Sequence, residues 1–144
     1  MIRHAGLIAL HDQAGWRGVL IEGPSGAGKS DLAIRALDQG FRLVADDRVL
    51  VWTSRGRLFG RAPDALRDLI EARGLGVLPE PALPFCEIAL IVRCGAAERV
   101  PEARAEDLVG VTLPVVILDP REPSAPAKLR RALDAFDAGR KRRI

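Results

Sequence analysis

A chain of 144 residues, 48% of them hydrophobic and with a net charge of +3, is long enough for one packed domain and too short for two ordinary ones. No run approaches the roughly 18 apolar residues of a membrane span, and Met1-Ile2-Arg3-His4 opens into a short apolar run without a signal-peptide pattern, which points to a cytoplasmic protein with no membrane partner. Arg140, Lys141, Arg142 and Arg143 crowd the end of the chain. Taking those four charges from +3 leaves −1, and Tyr is absent, so the body carries no nucleic-acid footprint.

In chain order, Ala5 to Leu10 reads as a strand, Asp12 to Arg17 as a turn, and Gly18 to Glu22 as a buried strand ending at Gly23. Asp31 to Gln39 places Leu32, Ala33, Ala36 and Leu37 at helical spacing, with Gly40 as its stop. Arg42 to Ala45 and Val49 to Trp52 read as strands, Ser54 to Arg57 as a tight turn, and Leu58 to Arg61 as the returning strand. Pro63 to Ala72 is expected as a second helix, with Leu66, Leu69 and Ile70 on its apolar face and Gly74-Leu75-Gly76 ending it. Pro79, Pro81 and Pro84 make a stiff, non-helical passage. Ile88 to Val92 and Val115 to Leu118 read as strands, and Pro126 to Ala138 as a last helix with Leu129, Leu133 and Phe136 on one side. Cys86 and Cys94 have neither metal-ligand spacing with His nor a disulfide framework, and read as ordinary thiols in a reducing compartment. The alternation of elements predicts an α/β fold with a mixed sheet.

Gly23-Pro24-Ser25-Gly26-Ala27-Gly28-Lys29-Ser30 matches G-x-x-x-x-G-K-[ST], with an apolar strand before it and an amphipathic helix after it. Glycines let backbone N–H groups approach phosphate oxygens, and the helix N-terminus adds positive charge. Lys29 is expected on the β- and γ-phosphates, and Ser30 offers a hydroxyl to Mg²⁺. Only three of the 22 Lys and Arg residues are Lys, yet Lys29 is one of them. An Arg fork does not replace a point charge in a tight loop.

The loop alone names no reaction. The chain has no LSGGQ-like signature or Asp-Glu-terminated strand of an ABC-type ATPase, and none of the tyrosines with which a guanylate kinase usually holds its base. Asp46 and Asp47 end the strand Leu43-Val44-Ala45. They are either two solvated turn carboxylates or a metal helper and a proton acceptor. Glu71 and Arg73 run into a Gly-x-Gly loop, which alone reads as a solvated helix end.

Taken together and in this order, GPSGAGKSDLA, LVADD and LIEARGLG resemble the catalytic domain of HPr kinase/phosphorylase, most of all its short, single-domain version. The resemblance runs from His4 to about Arg99. It implies one catalytic domain over residues 1–144, of the HPr kinase/PEP carboxykinase-like fold; the charges at 140–144 read as a basic tail. It also implies an ATP- and Mg²⁺-dependent serine kinase acting on HPr and serving phosphotransferase-system regulation. By the same resemblance, Gly23 to Ser30 bind the nucleotide, Ser30 and Glu71 the metal, Asp47 is the base, Asp46 its helper, and the Glu71 to Gly76 loop meets the acceptor. His4 is similar to a functional histidine of the family, in preference to His11, and Arg99 to an arginine that approaches the phosphates. The family's PVRPGRN-like loop, tied to phosphorolysis, is replaced by Leu113-Pro114-Val115-Val116-Ile117-Leu118, which leaves the reverse reaction unsupported. A homo-oligomer is compatible with the sequence and not fixed by it. Two rival readings are a small-molecule kinase on the same scaffold and an ATP-sensing module without catalysis.

Overall fold

The structure, a computed structural model, describes residues 1–136. The described chain runs through β1 (Ile2–Arg3), β2 (Ala5–Asp12), β3 (Gly15–Glu22), α1 (Lys29–Leu37), β4 (Arg42–Ala45), β5 (Val49–Ser54) and β6 (Arg57–Arg61). A 3₁₀ turn (Asp64–Leu66) leads into β7 (Leu69–Ala72), β8 (Gly76–Pro79), β9 (Cys86–Cys94), β10 (Arg104–Leu108), β11 (Val111–Leu118) and α2 (Ala125–Phe136). The main sheet has the order β1-β5-β6-β9-β3-β2-β4, with β11 beside the second half of β9 and β10 outside β11. Pairs β3–β9 and β9–β11 are parallel and the rest antiparallel, so the sheet is mixed, as the sequence predicts. Arg3 on β1 pairs with Glu22 on β3, well away in the sheet order, and reaches Glu106 on β10 at 3.5 Å, so the sheet curls.

Curling gives the central strands two apolar faces. Val19, Ile21, Ile8, Leu10 and Leu90 pack under Leu32, Ala36, Leu129 and Leu133 of the two helices. Leu7, Ala9 and Leu20 turn to the inside of the curl, with Val49, Val51, Leu58, Leu113 and Val115. Burial on both faces explains why β2 and β9 read as unbroken apolar runs rather than alternating ones. The central strands approach so closely at Gly18 that a Cβ there would lie 2.6 Å from the Glu87 carbonyl oxygen.

Several expected elements shift. β3 starts at Gly15, so the expected turn over Asp12–Arg17 shrinks to a tight hairpin, Asp12 pairing with Gly15. The expected helix over Pro63–Ala72 is a short 3₁₀ turn followed by the hairpin β7–β8. Its helical spacing of Leu66, Leu69 and Ile70 competes with a period of two: Ile70 and Ala72 are buried while Glu71 is exposed. Asp68 at φ 59° turns the chain, and Gly74 at φ 89° closes the hairpin, a conformation that suits glycine. β10 lies in the polar stretch that the sequence left unassigned. The last helix begins at Ala125, and Phe136 is half exposed at its end rather than on the buried side. The remainder of that expected helix and the basic tail at 140–144 lie outside the described residues.

Candidate active site

The strands β3, β9 and β11 run parallel, so their C-terminal ends share one edge of the sheet. Ligands in α/β folds gather beyond such ends. The expected phosphate loop lies there, between Glu22 of β3 and Lys29 of α1. Its turn is closed by Ala27 N–H donating to Pro24 C=O at 3.1 Å. Gly28 caps α1 at φ 105°, a left-handed conformation that an L side chain would strain. The first helical bond of α1 runs from Leu32 N–H to Gly28 C=O, so the amides of Lys29, Ser30 and Asp31 precede it and are open to an anion. Lys29 Nζ donates to the carbonyl oxygens of Gly23 (2.6 Å) and Pro24 (3.0 Å). Cys94, at the end of β9, packs against Gly23, where a Cβ would come within 3.0 Å of it. Burial pushes the Cys94 thiol up from its ordinary value, although the Lys29 charge pulls it down.

The two acids after β4 have opposite surroundings. Asp46 is 8% exposed. Its Oδ1 accepts from Ser30 Oγ at 2.8 Å and its Oδ2 from Glu71 N–H at 2.9 Å, so one carboxylate ties the phosphate loop to the β7–β8 hairpin. Asp47 is 54% exposed in its side chain and stands at φ 69°. A tight turn with Arg48 N–H on Asp46 C=O (2.8 Å) holds it there. His4 Nε2 lies 2.8 Å from Asp47 Oδ1, and the Ala5 amide donates to the Asp47 carbonyl at 3.1 Å. His4 reaches this place because β2 runs back along β3, pairing Ala5 with Glu22. The β2–β3 hairpin therefore extends away from the site. His11 sits at that distant end, against Trp16 at 4.9 Å between ring centroids.

His4, Gly26, Gly28, Lys29, Ser30, Asp47 and Glu71 line one open cleft of about 340 Å³, together with Ser25, Ala27, Asp31, Arg73 and Arg121. Asp46 stands behind its wall. Gly23 and Pro24 form the base of the loop and meet Lys29 through their carbonyls. Arg99 is not brought there. It is exposed in the segment after β9 and lines a different groove, with Val116, Leu129 and Phe136.

Arg121 is the cleft residue that sequence reasoning missed. It follows β11 in a loop pressed on the phosphate loop: a Cβ on Gly28 would sit 3.5 Å from Pro120 Cγ. Arg35 of α1 donates to the carbonyls of Pro120 and Glu122, the latter at 3.2 Å. The Arg121 amide donates to Asp119 Oδ1 at 3.0 Å, which holds that carboxyl below the usual carboxylate range. The signal in the sequence is Asp119-Pro120-Arg121 directly after an apolar strand, which becomes informative once β11 is known to run parallel to β9.

A family model described as HPr Serine kinase C-terminal domain matches residues 2–82. Among curated proteins, the HPr kinase/phosphorylase of Mycoplasmopsis pulmonis is 42% identical over 82 residues, 52% of this chain and 26% of that protein. That of Limosilactobacillus reuteri is 43% identical over 83 residues, and that of Azoarcus sp. 53% identical over 62 residues, or 20% of its length. The matched stretch thus spans between a fifth and about a quarter of these relatives. A solved structure of the Hpr(Ser) kinase/phosphatase from Coxiella burnetii shares the fold, with TM-score 0.79, 23% identity, and coverage of 93% of this chain and 94% of that one.

Proposed function

Because this chain belongs to the HPr Serine kinase C-terminal domain family, we propose that it is an ATP- and Mg²⁺-dependent protein-serine kinase acting on an HPr-type phosphocarrier protein in the cytoplasm. The described residues would form one catalytic domain. The observation that carries this reading is that Asp47, steered by His4, opens into the same cleft as Lys29 and Ser30.

In this reading Gly23 to Ser30 wrap the nucleotide phosphates with backbone amides, and Lys29 adds a mobile positive charge. A magnesium ion held by Ser30 and Glu71 would neutralise phosphate charge. The donors fit that ion: they are hard oxygens, and both residues line the cleft. Mg²⁺ commonly takes one or two protein oxygens and fills its remaining positions from phosphates and water. Asp47 accepts the proton of the acceptor serine as that oxygen bonds to the γ-phosphorus and ADP leaves. His4 orients the carboxylate. Exposure of Asp47 suits a protein acceptor, whose serine must arrive from solvent. The proposal covers the forward transfer alone, because Leu113 to Leu118, which stand in place of the phosphorolysis loop, lie within β11.

The test is incubation with γ-labelled ATP, Mg²⁺ and an HPr-type protein, followed by mapping of the label. The expected result is a phosphoserine on the acceptor, lost in Asp47→Asn while ATP still binds. ATP binding without transfer would favour a sensing module, and transfer to a metabolite a small-molecule kinase.

A further inference from the structure

The cleft has more positive charge than its phosphate loop supplies. Besides Lys29 it is lined by Arg73 and Arg121, and the two arginines are mounted differently. Arg73 sits at the turn of the β7–β8 hairpin, beside Leu75, which is 75% exposed. Arg121 sits on a loop fastened to the phosphate-binding element itself. Arg35 grips the carbonyls on either side of it, Pro120 packs on Gly28, and Asp119 holds its amide. The backbone is fixed while the side chain is 86% exposed. Among the described residues its side chain has one polar partner, Asp119 Oδ1, at 3.4 Å from Nε, which leaves the outer end of the guanidinium available to a ligand.

We propose that Arg121 is a further catalytic residue of this cleft, placing its guanidinium on the terminal phosphate of the bound nucleoside triphosphate. The inference rests on the kinase reading above. A guanidinium presents a planar fork of donors that matches the oxygens of a phosphoryl group. Phosphoryl transfer spreads negative charge over the equatorial oxygens, and an arginine supplied from the same chain stabilises it. Lys29 Nζ donates to the Gly23 and Pro24 carbonyls within the loop, and a second cation from another element would share the charge of the terminal group. The loop after β11 provides one beside the phosphate loop, since Pro120 packs on Gly28. The resemblance implied such a contact for Arg99, which the structure places in another groove.

The test compares wild type, Arg121→Ala and Arg121→Lys, by calorimetric titration with MgATP and with MgADP and by single-turnover transfer. Arg121 is exposed and its backbone contacts survive substitution, so circular dichroism should be unchanged. The expected result is a loss of about tenfold in affinity for ATP with ADP affinity nearly intact. Transfer should fall about 10²- to 10³-fold, with partial rescue by Lys. Equal losses for ATP and ADP would put Arg121 on another part of the nucleotide and overturn the proposal, as would no loss at all. If wild type bound ATP but phosphorylated no acceptor, the ATP-to-ADP comparison would still decide the role of Arg121. If wild type bound no nucleotide, this proposal and the kinase reading would fall together.

Discussion

Replacement of Asp46 separates its two bonds from its charge. Its carboxylate is buried and accepts from Ser30 Oγ and from Glu71 N–H. Hydrogen bonds to charged groups contribute about 1.5–3 kcal/mol each. Asp46→Ala should therefore destabilise by about 3–6 kcal/mol, a large share of the roughly 5–15 kcal/mol that holds a domain together. Asp46→Asn is different. Its amide oxygen can still accept from Glu71 N–H, and its nitrogen can donate to Ser30 Oγ, so both contacts survive with one reversed in direction. Neutral bonds are weaker than charge-assisted ones, and the expected loss is about 1 kcal/mol. Urea unfolding of the three proteins measures the difference. In the same proteins Asp46→Asn should weaken Mg²⁺-dependent nucleotide binding about tenfold, because the partner of a metal ligand tunes it. Equal destabilisation by Asn and Ala would refute the bridging geometry, and an Ala variant within about 1 kcal/mol of wild type would refute the energetics.

Gly18→Ala would bring a Cβ to 2.6 Å from the Glu87 carbonyl oxygen and 2.7 Å from Cys86 Sγ, in the middle of the sheet. The expected loss is about 1–3 kcal/mol by denaturant unfolding, and a neutral substitution would contradict the close strand approach. Burial, then the charge of Glu87, push the Cys86 thiol above its ordinary 9.0, and burial raises Cys94 as well. The folded protein thus keeps protons that the unfolded chain releases. These thiols contribute no pH dependence below their ordinary value, and stability declines above it, by at most about 1.4 kcal/mol per pH unit for each. Cys86→Ala should flatten that decline, and an identical slope would remove Cys86 from the account. At Asp47, whose φ is 69°, Gly relieves a left-handed conformation that Ala cannot adopt without strain. Asp47→Gly should be more stable than Asp47→Ala by about 1–2 kcal/mol, although both lose turnover, and a reversed order would dismiss strain at this position.

Strands buried on both faces and the helix of the phosphate loop were legible because long apolar runs and a glycine-rich motif carry their own signals. The bounds of β4, Arg42 to Ala45, agree with the sequence reading, and the loop and the carboxylate pair stand out in the sequence without any knowledge of topology. The β7–β8 hairpin was not. Leu66, Leu69 and Ile70 satisfy a helical stripe, and only packing of Ile70 beneath α1 selects the period of two. β10 was invisible because Arg104, Glu106 and Asp107 hide a strand whose place is set by pairing with β11. Arg99 and Arg121 show the same limit at the site. Separation along the chain does not say which arginine faces the phosphate loop; the parallel register of β9 and β11 does. His4 was found through its resemblance, and the antiparallel return of β2 explains why His11, closer in sequence, lies far away.

The neighbouring acids illustrate how one turn can separate two tasks. β4 ends at Ala45, and Asp46 directly after it is still buried. There the carboxylate is committed to two donors and has little freedom left for proton transfer. The left-handed turn then lifts Asp47 out of the strand alternation and into the cleft, where His4 is its nearest partner. Were residue 47 in an extended conformation, the strand would continue and its side chain would no longer be set by this turn. The positive φ is thus part of the proposed chemistry: it gives adjacent carboxylates different solvent access without inserting a residue between them. A base that must meet a serine on another protein needs that exposure, whereas a group that fixes Ser30 needs burial. The order Asp46 then Asp47, inside then outside, satisfies both requirements and leaves no freedom to exchange them.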